Sequence, residues 1–336
     1  MKTESRWWTV EDDKIRCLLC PHACLLSPGE SGLCGVREAS SDGIVLPGYG
    51  IISAEAVDPV EKKPLYHFHP GEDIWSVGFT GCNMNCPFCQ NHRISRAGPT
   101  SGSYKKPAQV VQDALRSGSR LLAFTYSEPS VHFEYIMDTA GEAHAAGLKL
   151  VLVSNGNLNL KPAKELLSAM DAVNIDLKSW NQAYYREVLG GDLKTVRNFV
   201  EEAMSRCWVE LTTLIVPGDN DCEEDVRDMT GWISTLSEDI PLHLSAYHPA
   251  YRYSRPSTTA GIMNRMKAAA GDKLNFVYIG NLGFENDTLC PACGTTVVSR
   301  KYYSTESRLI SGKCPECGKL IPGVFPDISR KDQAQI

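Results

Sequence analysis

The sequence predicts an α/β protein built on a partial or complete parallel barrel, with a small cysteine-rich region before it and another after it. Helical stretches at Pro107–Ser117, Val131–Ala146, Pro162–Met170, Leu193–Arg206, Cys222–Leu236 and Thr258–Ala270 alternate with strand-like runs. Those runs are Ile74–Phe79, Leu121–Thr125, Lys149–Val153, Ala172–Lys178, Val209–Val216, Leu242–Tyr247 and Leu274–Ile279, and such alternation predicts a parallel sheet with helices outside. In Ala172–Lys178, Val173, Ile175 and Leu177 share one face while Asn174, Asp176 and Lys178 share the other. A parallel strand covered on both sides is nearly all apolar. The polar face therefore needs a polar barrel interior, or else the strand lies at a solvated edge.

Taken in order, the chain divides into a cysteine-rich region over 1–70, a catalytic core over 71–285 and a ribbon over 286–336. With 43% hydrophobic and 22% charged residues, it has an ordinary globular composition. A net charge of −6 argues against a broad nucleic-acid surface. Met1 to Val10 lacks a signal-peptide core and no apolar run is of membrane-spanning length, so a cytoplasmic protein without membrane contact is expected.

Eleven of the thirteen cysteines fall into three groups, the arrangement of metal ligands rather than of disulfides. Cys207 and Cys222 are left over and read as buried thiols. The first group is Cys17, Cys20, Cys24 and Cys34, with Gly29, Gly32 and Gly35 for tight turns. Four thiolates there suit zinc or a second iron–sulfur cluster, with His22 as a substitute ligand.

From Gly43 to Phe68 short β-like runs alternate with turns, and Asp58, Glu61, Lys62 and Lys63 read as a solvated turn or as part of an active-site rim. The second group, Cys82, Cys86 and Cys89, follows the first core strand in a C-x3-C-x2-C loop. Three thiolates there can hold three irons of a cubane cluster and leave the fourth for another ligand. His92 would instead complete a Cys3His zinc site.

Polar groups gather at the ends of later strands: Glu128, then Ser154 and Asn155, then Asp176 and Lys178, then His248. Carboxyl ends of parallel strands are where α/β barrels place reactive groups. Glu128 could equally favour the next helix through its dipole.

The third group, Cys290, Cys293, Cys314 and Cys317, forms two C-x2-C knuckles, each followed by glycine. This is the pattern of a zinc ribbon, in which metal replaces a core too small to fold alone. Arg300, Lys301, Tyr302, Tyr303 and Arg308 between the knuckles read as hairpin surface or as a nucleic-acid contact.

The loop at Cys82, Cys86, Phe88 and Cys89 resembles the C-x3-C-x-aromatic-C signature of the radical S-adenosylmethionine (SAM) superfamily. That resemblance implies a barrel of radical SAM type, a [4Fe-4S] cluster on the three cysteines, SAM chelating the open iron, and Phe88 beside the adenine. It further implies that Glu128 binds the SAM ammonium, that Ser154 and Asn155 contact its methionine part or ribose, and that Asp176, Lys178 and His248 are SAM contacts. Segments Cys17–Arg37, Glu61–Phe68, Gly81–Ser95, Thr125–Tyr135 and the ribbon together resemble the AmmeMemoRadiSam-system radical SAM enzymes, which are similar to pyruvate formate-lyase activating enzymes. The resemblance implies reductive cleavage of SAM to a 5'-deoxyadenosyl radical that takes hydrogen from a substrate, with a flavodoxin- or ferredoxin-like donor. It also implies either a glycyl-radical enzyme as the partner to be activated, or radical modification of a small molecule, protein or RNA with Memo-like and AMMECR-like partners. Ser154 departs from the acidic residue that activases often carry before the Asn-Gly turn, so a monovalent-cation site is not implied. A zinc-only binding protein is the reading left if the loop holds no cluster.

Overall fold

The computed structural model describes residues 5–283, 285–301 and 304–326. At its centre lies an eight-stranded sheet of β1 (Ala54–Pro59), β2 (Asp73–Gly78), β3 (Leu121–Thr125), β4 (Lys149–Ser154), β5 (Ala172–Asp176), β6 (Trp208–Ile215), β7 (Leu242–Ala246) and β8 (Val277–Gly280). Spatial order follows chain order. The pairs from β2 through β8 are parallel, while β1 adds antiparallel to β2. Among the described residues β8 and β1 do not pair, so the barrel is partial.

Helices α1 (Pro107–Arg116), α2 (Phe133–Ala145), α3 (Leu160–Ser168), α4 (Leu193–Met204), α5 (Glu223–Leu236) and α6 (Ala260–Gly271) link the parallel strands. In α4, Leu193, Val196, Phe199, Val200 and Ala203 form the buried stripe, a spacing that puts them on one helical face. Asp192 caps it by accepting the amide of Thr195 at 2.8 Å. The predicted helices and strands fall on these elements. Val131, the expected start of the second helix, lies instead in a 3-10 turn, Pro129–His132, that precedes α2.

β1 was not predicted as a core strand. Its sequence, Ala-Glu-Ala-Val-Asp-Pro, has no apolar run, and its pairing with β2 supplies the hydrogen bonds that hold it.

The segment after β1 is not a solvated turn. Lys63, Leu65, His67 and Phe68 are buried, because the chain enters the barrel floor there. Glu210 accepts the amides of Tyr66 and His67 at 2.9 and 2.8 Å, and Asn174 donates to the Pro64 carbonyl at 2.8 Å. Inward polar side chains on β5 and β6 thus satisfy backbone groups that water cannot reach. This is the polar interior that the two faces of Ala172–Lys178 required.

Residues Trp8–Glu11, Lys14–Cys17 and Leu25–Leu26 make a small antiparallel sheet at one end of the chain. Thr288–Leu289, Thr296–Lys301 and Ser304–Ser307 make another at the other end. The latter region docks on the floor segment, since the His69 amide donates to the Val324 carbonyl and the Val324 amide donates to the His67 carbonyl, each at 2.7 Å. No helix among the described residues is long and apolar enough to cross a membrane. Tyr302 and Tyr303 lie outside the described residues.

Candidate active site

The carboxyl ends of the parallel strands surround a cavity of about 320 Å³. Cys82, Cys86, Phe88 and Cys89 line it from the loop after β2. Glu128 lines it from beyond β3, Asn155 from beyond β4, and Asp176 and Lys178 from the end of β5. Thr212 and Leu214 of β6, Ser245 of β7 and Asn281 beyond β8 continue the wall.

Hydrogen bonds fix the thiol loop from several sides. Asn155 Nδ2 donates to Asn83 Oδ1 at 2.9 Å and lies 3.7 Å from Cys82 Sγ. Asn83 Nδ2 donates to the Asn157 carbonyl at 2.7 Å, and the Asn85 amide donates to the Leu189 carbonyl at 2.7 Å. Arg96 reaches the Met84 carbonyl. Ser95 Oγ lies 3.5 Å from Cys89 Sγ, and the Met84 amide donates to Cys82 Sγ at 3.4 Å.

Burial pushes the Cys82 thiol up, and pushes the Cys86 thiol up to about 11. Buried thiols of this kind become thiolates by ligating a cation. Together with His92 they do not close on one ion. Among the described residues, only Cys290, Cys293, Cys314 and Cys317 bring three or more ligand atoms within 4.8 Å of one another. His92 Nδ1 instead lies 3.2 Å from the Cys89 carbonyl and its ring stacks on Tyr251. Three thiols on one loop, not drawn together on a single ion, are a donor set of the kind that iron–sulfur clusters take.

Glu128 is buried and anchors the ends of two strands. It accepts the Asn155 amide at 2.7 Å, the Ser154 hydroxyl at 2.7 Å and the Ser130 amide at 3.1 Å. Burial raises its carboxyl above the usual range, and those hydrogen bonds only partly offset the shift. Ser154 acts on the site through this bond and does not line the cavity.

Lys178 donates to Asp176 at 2.8 Å. Burial alone would lower its ammonium, but the charge of Asp176 and its hydrogen bond outweigh that and hold it above its usual range. Phe88 is buried with its ring edge-on to Tyr253. His248 is exposed and does not line the cavity; its Nδ1 lies 3.3 Å from Gln90 Nε2, which does.

The sequence reading did not single out Lys62 and Lys63 as cavity residues beyond a possible rim role, and it missed Tyr126, Ser127, Gln90 and Asn91 there. Lys63 donates to Asp58 at 2.7 Å, and the Tyr126 hydroxyl donates to the same oxygen at 2.7 Å. Tyr126 holds a φ of +70°, a sparsely populated conformation for a bulky residue. The tyrosine's ring covers Gly78, where a Cβ would come within 2.6 Å of Tyr126 Cδ2. The signal available in sequence was a pair of lysines just before the first core strand.

At the ribbon, Cys290 and Cys317 Sγ lie 3.6 Å apart and Cys293 and Cys314 Sγ 3.7 Å apart. A tetrahedral ion with metal–sulfur bonds of about 2.3 Å needs sulfurs about 3.8 Å apart. The four thiols are therefore set for a single metal ion.

A partial parallel barrel carrying a three-thiol loop after its first parallel strand defines the class, and residues 76–230 match the Radical SAM superfamily. The chain belongs to that superfamily, whose members are enzymes. It is 34% identical over 325 residues to the uncharacterized protein MJ0808 of Methanocaldococcus jannaschii, spanning 93% of this chain and 96% of that one. It is 20% identical to the pyruvate formate-lyase-activating enzyme of Streptococcus mutans, over 51% of this chain and 70% of that one. The fold is similar to that of Streptococcus suis SuiB bound to S-adenosylmethionine, with a TM-score of 0.50 and 13% identity over 66% of this chain and 52% of that one. Membership implies a [4Fe-4S] cluster and SAM, and enzymes of this superfamily generally need an electron donor.

Proposed function

We propose that Cys82, Cys86 and Cys89 hold the cluster and that the adjoining cavity binds SAM for reductive cleavage. The observation that carries this reading is that the three cysteines share one cavity with Phe88, Glu128, Asn155, Asp176 and Lys178. When bound, cluster and SAM supply a 5'-deoxyadenosyl radical, and the protein supplies position and exclusion of water. Lys178, kept charged by Asp176, is placed to receive the SAM carboxylate; a charge-assisted bond of that kind is strong and directional. Asn155 and Asn83 hold the loop in place at the cavity wall, where its three cysteines would hold the cluster. Phe88 offers an apolar wall for the adenine. Glu128 orients the Ser154–Asn155 turn and is the carboxylate for the SAM ammonium; His248 would act from the rim beside Gln90.

The substrate reading that we favour is a protein, as for an activating enzyme, with glycyl-radical enzymes the first class to test; the S. mutans relative supports it. Kinship with AmmeMemoRadiSam-system enzymes, with Memo-like and AMMECR-like partners, is the second reading, and the lysine-bearing floor segment Glu61–Phe68 supports it. A cytoplasmic setting with a flavodoxin- or ferredoxin-like donor fits both. Zinc is the proposed ion at the ribbon.

The test is anaerobic loading with iron and sulfide, then dithionite and SAM. Formation of 5'-deoxyadenosine is expected, and its absence from iron-loaded protein would overturn the reading. Mixing with a candidate glycyl-radical enzyme and recording electron paramagnetic resonance spectra tests the substrate.

A further inference from the structure

Cys17, Cys20, Cys24 and Cys34 converge at the other side of the thiol loop. A Cβ placed on Gly32 would lie 3.6 Å from Cys24 Sγ and 3.8 Å from Cys34 Sγ. The convergence nonetheless differs from that of the ribbon. No three of these thiols lie within 4.8 Å of one another, whereas all four ribbon thiols do. One chain thus carries two four-cysteine sets of different size. The small one has the sulfur spacing of a single ion and the wider one does not, while four thiolates are also the ligand set of an iron–sulfur cluster.

The larger set abuts the catalytic loop directly. The Cys82 amide donates to the Cys34 carbonyl at 3.2 Å, so a residue of one thiol set is bonded to a residue of the other. His22, between Cys20 and Cys24, lies with Nε2 at 2.6 Å from the Asn83 carbonyl. Gly81 is required at this junction. It holds a φ of +83°, and a Cβ there would meet Val36 Cγ2 at 2.3 Å and the Cys34 carbonyl at 2.6 Å. Leu18, Leu25 and Leu33, each next to a cysteine of the set, are exposed at 37%, 40% and 69%, so the set also reaches the surface.

We propose that Cys17, Cys20, Cys24 and Cys34 hold a second iron–sulfur cluster, and that it passes electrons from a carrier protein to the catalytic loop. One electron leaves a reduced flavin- or iron–sulfur-bearing carrier, which is thereby oxidised, and reduces the N-terminal cluster. Transfer onward reoxidises that cluster and reduces the loop cluster by the same one electron. The relay rests on the loop cluster proposed above; the metal assignment does not.

The full-length chain, loaded anaerobically with ferrous iron and sulfide, is examined by metal analysis and by Mössbauer and electron paramagnetic resonance spectroscopy. About twice the iron and sulfide of a one-cluster protein is expected. A variant combining Cys82→Ala, Cys86→Ala and Cys89→Ala keeps one cluster, whose spectrum SAM does not change. A variant combining Cys17→Ala and Cys20→Ala keeps the SAM-responsive one. One cluster in the native chain, lost in the loop variant, with zinc in its N-terminal set, overturns the proposal. One cluster that survives in the loop variant upholds the N-terminal assignment and defeats the loop reading instead. Where either variant fails to fold, the stoichiometry of the native chain decides. For the relay, reduction of the loop cluster by reduced flavodoxin slows about tenfold in the N-terminal variant while reduction by dithionite is unchanged. Equal rates with flavodoxin overturn the relay.

Discussion

Lys63 and Asp58 form an ion pair of 2.7 Å in the floor of the barrel, with the lysine side chain almost fully withdrawn from water. The Tyr126 hydroxyl donates to the same carboxylate oxygen. Removing the carboxylate leaves a buried ammonium without its counter-charge. Asp58→Asn is therefore expected to cost about 3 kcal/mol in chemical denaturation, more than Lys63→Met, which removes charge and burial penalty together.

The same pair predicts a pH effect. Burial would raise the Asp58 carboxyl, but hydrogen bonds from Lys63 and Tyr126 and the Lys63 charge prevail and hold it down at about 2. A lowered carboxylate contributes stability above its ordinary value of 3.8, and that contribution is lost as pH falls through about 2. Unfolding free energies measured down this range should fall more steeply in the native chain than in Asp58→Asn.

His67 and His132 are buried neutral, and burial lowers each to about 4. Protonation of the unfolded chain is the easier, so stability falls as pH drops from the ordinary 6.5 through about 4. A His67→Gln protein should show a shallower loss over that window in thermal unfolding curves.

Cys86→Ala is expected to abolish formation of 5'-deoxyadenosine while leaving the melting temperature near that of the native chain. Cys314→Ala should do the reverse in emphasis, lowering the melting temperature by several degrees because it opens a closed four-ligand site, at a cost of about 2–5 kcal/mol. Calorimetry and product analysis on both variants check the contrast.

Chelation at the ribbon should be felt in the barrel floor. His67 Nδ1 lies 2.7 Å from the Pro322 carbonyl, and its Nε2 lies 2.7 Å from the Tyr278 hydroxyl. Hydrogen exchange at the Tyr66 and His67 amides should accelerate about tenfold when a chelator strips the metal, with α4 amides unaffected.

Much of this architecture was legible because parallel strands announce themselves. Leu121–Thr125 is wholly buried and apolar up to its last residue, and the split faces of Ala172–Lys178 anticipated a polar interior. The thiol loop was legible because its ligands are adjacent in sequence. Ala54–Pro59 was not, since what makes it a strand is its neighbour and not its own side chains. Lys63 stayed open between a solvated turn and an active-site rim for a related reason: a charged residue looks solvated until its buried partners, Asp58 and Tyr126, are brought to it by the fold.

Among the described residues the sheet leaves a seam unstitched between Val277–Gly280 and Ala54–Pro59. A hollow of about 490 Å³ flanks it, walled by Lys62, Tyr66, Leu282, Asn286 and Arg300. Lys62 belongs to this hollow and to the thiol cavity alike. Lys62 therefore stands at the wall between the two hollows, its ammonium 3.5 Å from Asp58, so a change of charge there is felt on both sides of the partition.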